Sequence, residues 1–255
     1  MDRALRSAYL QAIGIDVWVP RAGVAAGSTE VPVAQGQDLA GSDFGRREAP
    51  APQGRDPGWV SQWEALRTEV LRCTRCSLHA GRTQGVFGAG NPQAEWMVIG
   101  EAPGAEEDRR GEPFVGRAGQ LLDAMLRAIG LSRAQNVYIA NMLKSRPPNN
   151  RDPQPDEVAA CLPYLRRQIE LVRPRVLVAV GRIAAQNLLG TEESLSRLRG
   201  RVHRFGELNT PLVVTYHPAY LLRNPVDKRK AWEDLKFARS VFRQLTAGSE
   251  DGHRS

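Results

Sequence analysis

Four short apolar runs, each closed by a glycine or a polar residue, constrain this chain more than any other feature. They are Trp96–Ile99 ahead of Gly100, Val137–Leu143, Val176–Val180 ahead of Gly181, and Leu212–Tyr216 ahead of His217. Runs this short and this continuously apolar read as strands buried on both faces. The segments between them carry helical spacing instead. Leu121, Leu122, Met125, Leu126 and Ile129 fall on one helical face and stop at Gly130. Pro155 sits where a first helical turn tolerates it, ahead of Val158, Cys161, Leu162, Leu165, Ile169 and Val172. A first helix with Trp59, Trp63, Leu66 and Val70 leads into Cys73, and a last one carries Trp232, Leu235, Phe242 and Leu245. Strand and helix alternating at these lengths predict an α/β fold: a three-layer sandwich with a central, mostly parallel sheet flanked by helices. Such sheets bind ligands beyond the carboxyl ends of their strands.

The rest of the chain divides around that core. Residues 23–57 are rich in Gly, Ala, Pro, Gln and Asp and almost free of large apolar side chains, which reads as a flexible linker. Residues 1–22 before it hold Leu10, Ile13, Ile15, Val17, Trp18 and Val19 and read as a docking segment; 58–247 form the folded domain and 248–255 a polar tail. No apolar run approaches the ~20 residues of a membrane span. The N-terminus lacks the apolar block of a secretory signal, which places the protein in the cytoplasm, as a monomer. Lys and Arg number 35 against 28 Asp and Glu, a formal charge of +7 that suits a polyanionic partner. Three cysteines in a chain without an export signal argue for metal or thiol chemistry over a disulfide framework.

Four segments carry a more specific message: Gly100-Glu-Ala-Pro-Gly104, Glu112-Pro-Phe-Val-Gly116, Asn141-Met-Leu-Lys-Ser-Arg-Pro-Pro148, and His217-Pro-Ala-Tyr-Leu-Leu-Arg223. In order and spacing they resemble the iron–sulfur-containing, thermostable uracil-DNA glycosylases, family 4 of that superfamily, over roughly Cys73 to Leu245. The resemblance implies a uracil-DNA glycosylase-like fold. It also implies a DNA-repair activity that flips uracil out of DNA and hydrolyses its N-glycosidic bond.

That reaction develops positive charge on the sugar and negative charge on the departing base. His217, just past a strand end, is the candidate donor to the uracil O2, although an isolated His-Pro ordinarily just turns a strand into a loop. Glu101 is the candidate carboxylate for orienting the attacking water, with backbone amides near Ala102 placed to bind a uracil oxygen. Glu107 is a second pocket carboxylate. Phe114 offers a face for the extruded base. The planar amide of Asn141 matches uracil O4 and N3–H and mismatches cytosine. Leu221, Leu222 and Arg223 form the expected DNA contact, an apolar wedge followed by a cation for phosphate.

Cys73 and Cys76 form a Cys-x-x-Cys pair, open on its own to zinc, iron–sulfur or redox readings, with haem attachment excluded because Ser77 follows. The resemblance implies a [4Fe–4S] cluster held by Cys73, Cys76 and Cys161. It also calls for a further cysteine directly after Lys144, where this chain has Ser145. A serine oxygen ligates iron only as an alkoxide, so a cluster with Ser145 or solvent at its fourth corner is expected to be labile. A non-catalytic, redox-sensing iron–sulfur protein that binds nucleic acid is the alternative; Glu101, Asn141 and His217 together weigh against it.

Overall fold

A computed structural model describes residues 57–250, so the expected docking segment, the linker and the end of the tail lie outside the described residues. The elements run α1 (Trp59–Leu71), β1 (Ala89–Gly90), β2 (Trp96–Gly100), α2 (Ala105–Arg110), α3 (Arg117–Ala128), β3 (Val137–Asn141), α4 (Pro155–Val172), β4 (Val176–Val180) and α5 (Arg182–Leu189). They continue with α6 (Leu195–Leu198), β5 (His203–Phe205), β6 (Thr210–Thr215), α7 (Pro218–Arg223) and α8 (Lys228–Glu250).

The strands form one sheet in the order β1-β3-β2-β4-β6-β5. Its four middle strands are parallel, and the short edge strands β1 and β5 run antiparallel to their neighbours. The chain leaves β2 towards β3 and then crosses back over β2 to β4, so the direction of winding reverses between β2 and β4. A crevice opens at such a reversal, beyond the carboxyl ends of the strands. Register puts those ends level: Gly100 lies opposite Asn141, and Val180 opposite Thr215.

Both sheet faces are buried, which is why the four middle strands read as largely apolar runs. Met97, Ile99, Tyr138, Ala140, Leu177, Ala179, Leu212 and Val214 face α1, α4, α5 and α6. The alternate residues Trp96, Val98, Val137, Ile139, Val176, Val178, Val180 and Val213 face α3, α7 and α8. Trp63 of α1 anchors the first layer by meeting Phe87 and Tyr138 edge-on, at centroid separations of 5.0 and 5.2 Å. Each buried Val, Leu, Ile or Met among them contributes about 1.5–3 kcal/mol.

Two strand limits differ from the sequence expectation. β3 ends at Asn141, although Met142 and Leu143 still donate to the carbonyls of Gly100 and Glu101. β6 runs from Thr210 to Thr215, releasing Tyr216 to stack on Tyr220 at 5.3 Å. Among the described residues, no helix is long and apolar enough to cross a membrane.

Candidate active site and cysteine corner

The carboxyl rim of the sheet brings together Phe114, from the chain between β2 and α3, Asn141, the last residue of β3, and His217, which follows β6; Glu101 directly follows β2 at the same rim. Gly100 shows how close they come. A methyl group there would collide with Asn141 Oδ1 and lie 2.7 Å from two ring carbons of Phe114. The Phe114 ring in turn sits 5.6 Å from the His217 ring, tilted by 33°. An aromatic face, a planar amide and an imidazole therefore lie close together at the winding reversal. A separate cavity of 440 Å³, between α4, α5 and the β5–β6 turn, is lined by none of these residues.

Asn141 is 2% exposed, and its Oδ1 has no hydrogen-bond partner. A buried acceptor left unpaired costs about 1–3 kcal/mol, so the site carries an unmet demand for a donor.

His217 lies where β6 gives way to α7, and its Nδ1 accepts the backbone N–H of Ala219 at 3.1 Å. Burial, with Arg223 adding repulsion and Glu107 opposing, holds the imidazole down to about pKa 4. With Nδ1 committed as acceptor, the neutral ring carries its proton on Nε2. Gly181 makes room for it: its φ of +99° suits glycine, and a methyl group there would lie 3.0 Å from His217 Cβ.

Glu101 is half-buried. Desolvation, helped by Asp152 and opposed by Arg182, raises its carboxyl to about 7. Arg182 pairs with Asp152 at 3.3 Å, an exposed pair that sequence reading had not connected with Glu101. Ala102 is half-buried in the same turn and packs on the α1 face of the core.

Glu107 turns out to be a backbone clamp: its Oε1 accepts from Val115 N–H at 3.0 Å and Gly116 N–H at 3.2 Å, at the start of α3. That bonding ties α2 to the loop carrying Phe114.

The wedge expectation needs correction at Leu221. This residue is fully buried against the α3 and α8 layer, because neighbouring positions on a helix point about 100° apart and Leu221 takes the inward one. Leu222 is half-buried and Arg223 exposed. Val226, 89% exposed just beyond, had no pattern in the sequence to mark it. Behind α7 lies a brace equally invisible in sequence. Asp234 of α8 takes two hydrogen bonds from Arg199 (2.7 and 2.8 Å) and one from Thr215 (2.8 Å). The Arg199 guanidinium lies 4.5 Å over Tyr216.

The cysteines gather beside the α1 and α4 layer. Tyr164 O–H donates to Cys73 Sγ at 3.2 Å. Burial pushes the Cys161 thiol up, Lys144 opposes that, and Cys76 and Cys73 push it further, so all three thiols lie within electrostatic reach of one another. Ser145 is 3% exposed, and its Oγ accepts from Arg82 Nη1 at 2.8 Å. Arg82 also donates to the Leu71 and Cys73 carbonyls, at 2.9 and 3.0 Å. Lys144 is buried, and its Nζ donates to Gln168 Oε1 (2.6 Å), Asn141 O (2.7 Å) and Phe87 O (3.4 Å), all neutral acceptors. Among the described residues, no three His, Cys, Asp or Glu side chains converge as a single-ion site requires. An iron–sulfur cluster makes a different demand, for separated thiolates, and its negative charge would favour the protonated form of Lys144, whose pKa burial lowers to about 7. Three cysteines near one another, with Lys144 close to Cys161, fit such a group, and Ser145 stands where the resemblance calls for a further cysteine.

Residues 87–236 match the model of the uracil DNA glycosylase superfamily. The chain is 48% identical over 175 residues to a type-4 uracil-DNA glycosylase of Archaeoglobus fulgidus, covering 66% of this chain and 87% of that protein. It is 43% identical over 185 residues to the type-4 enzyme of Sulfurisphaera tokodaii, covering 70% and 84%. The type-4 enzyme of Thermotoga maritima is likewise 43% identical over 185 residues, covering 71% and 95%. With the family model and these relatives in agreement, this chain belongs to the uracil-DNA glycosylase superfamily, on its type-4 branch.

Proposed function

We propose that this protein is a monofunctional uracil-DNA glycosylase that flips uracil out of DNA and hydrolyses the bond between its N1 and the deoxyribose C1′, leaving an abasic site. The observation that carries this reading is the unpaired Oδ1 of Asn141 beside the Phe114 ring and the neutral His217. Oδ1 accepts the uracil N3–H while Nδ2 donates to O4. Cytosine presents a bare N3 and an amino group there, the reverse pattern, and is rejected. Phe114 supplies the stacking face.

His217 donates from Nε2 to the uracil O2, where negative charge collects as the C1′–N1 bond breaks. The bonding pair leaves with the base as the uracil anion. Water adds its oxygen to C1′, and the ionised Glu101 orients it and takes its proton. Glu107 and the Ala102 turn keep the walls of the site in place. Leu222 and Arg223 meet the DNA, the first against the stack and the second against phosphate; Leu221 supports them from the core.

A [4Fe–4S] cluster belongs to this reading as a brace, held by Cys73, Cys76 and Cys161 with Ser145 at the fourth corner. Cys73 and Cys76 just after α1 and Cys161 of α4 would be tied together through it. The bond-breaking groups lie elsewhere. The partner is uracil-containing DNA, approached by a monomer with formal charge +7 in the cytoplasm.

The test is abasic-site formation on an oligonucleotide bearing one uracil, read by alkaline strand cleavage. The wild type should release the base, and His217→Ala should be severely slowed. Tight binding with no base release sinks the reading.

A further inference from the structure

We propose that Arg133 is a positioning residue that holds Phe114 in its base-stacking pose, an inference that rests on the role of Phe114 given above. Phe114 has a φ of +54°, in the left-handed region that side-chain-bearing residues rarely adopt, and is 5% exposed. An aromatic residue held there requires surroundings that over-determine it.

Arg133, in the turn before β3, supplies one part of that constraint. Its Nη2 donates to the Phe114 carbonyl at 2.9 Å and its Nη1 to the Pro113 carbonyl at 3.2 Å, so one planar guanidinium spans two consecutive peptide oxygens. Its Nε donates to Asp123 Oδ1 at 2.8 Å, which fixes the fork to α3. From the other side Glu107 holds the amides of Val115 and Gly116. The Phe114 carbonyl also passes so close to Gly119 of α3 that a methyl group there would collide with it. The peptide groups around Phe114 are thus gripped from two directions, and the ring is aimed over Gly100 towards His217. Without the guanidinium, the strained residue is free to relax to negative φ and carry its ring off the site.

Arg133→Met keeps the length of the side chain and removes its donors. A crystal structure of this variant should show Phe114 outside the left-handed region and its ring displaced from Gly100. That result stands whether or not the protein releases uracil, and an unmoved Phe114 overturns the proposal. In solution, inhibition by free uracil should weaken and single-turnover excision should slow, each on the order of 10–100-fold. Arg133→Lys, with one donor kept, should fall between. Adding Arg133→Met to Phe114→Leu should cost nothing beyond Phe114→Leu alone; equal losses in both backgrounds overturn the proposal. Should Arg133→Met fail to fold, Asp123→Asn loosens the fork without removing it. It should weaken uracil inhibition in the same direction, and unchanged inhibition counts as refutation. A wild type that releases no uracil removes the glycosylase reading but leaves the crystallographic outcome to decide for or against Arg133.

Discussion

The rim site and the cysteine corner are both built from loops around the same sheet, yet they are held in opposite ways. At the rim, functional groups are left wanting: Asn141 Oδ1 is unpaired, His217 is kept neutral by burial, Glu101 is pushed to about 7, and Phe114 is strained. At the corner three polar groups have protein partners. Ser145 is held by Arg82, Cys73 by Tyr164, and Lys144 by three carbonyl-type oxygens. On the function proposed above, the groups poised for a missing partner are the ones that meet the base, and the paired groups at the corner act as a brace.

The largest effect that separates the two belongs to His217. Replacing it with Ala removes the donor aimed at the developing anion and should slow single-turnover excision by about 10²–10³-fold. Cys161→Ser should cost much less in excision while lowering iron content and melting temperature. Equal rate losses at the two positions would break the comparison. Next comes Asn141→Ala, which deletes the pairing with uracil N3–H and O4 and should reduce kcat/KM by about 10–100-fold. Competition by free uracil should weaken in parallel; unaltered competition would remove Asn141 from base reading.

How far the two regions could be read beforehand follows from the range of their contacts. β2, β3, β4 and β6 were legible because strands buried on both faces leave largely apolar runs. β1, with two residues, and β5, His203–Phe205 with its exposed Arg204, leave no such trace. Glu101, Phe114, Asn141 and His217 stood out because each lies in a recognisable segment. Their supports did not: Arg133 reaches back to Phe114 across 19 positions, and Arg199 meets Asp234 across 35. Side-chain pairings at that separation obey no period and depend on where the fold sets the backbone. Leu221 was misplaced for a related reason, since a helix of six residues is too short for its buried side to be read from spacing.

The pH dependence sharpens the picture further. Glu101 must be ionised to take a proton from water, and its carboxyl titrates near 7, so excision should rise about tenfold per pH unit below that value and level off above it. His217 donates from its neutral form and titrates near 4, so it sets no limb between pH 5 and 9. Glu101→Gln should be slow and flat over this range. A wild-type profile already flat from pH 5 would show that Glu101 is not the base.

The smallest rate effect, and the most informative about the corner, is that of Ser145→Cys. A thiolate there completes the four soft donors a [4Fe–4S] cluster prefers, where Ser145 can ligate only as an alkoxide and is already held by Arg82. Iron retained after aerobic purification should rise towards about four atoms per chain, with absorbance near ~400 nm resisting oxygen longer. Excision should stay within about twofold, because the donor to O2, the amide and the carboxylate all sit at the rim. A gain of tenfold or more would mean that the fourth corner reaches the rim, and Lys144 is the bridge to suspect: its neighbour is Ser145, and its Nζ holds the Asn141 carbonyl at 2.7 Å.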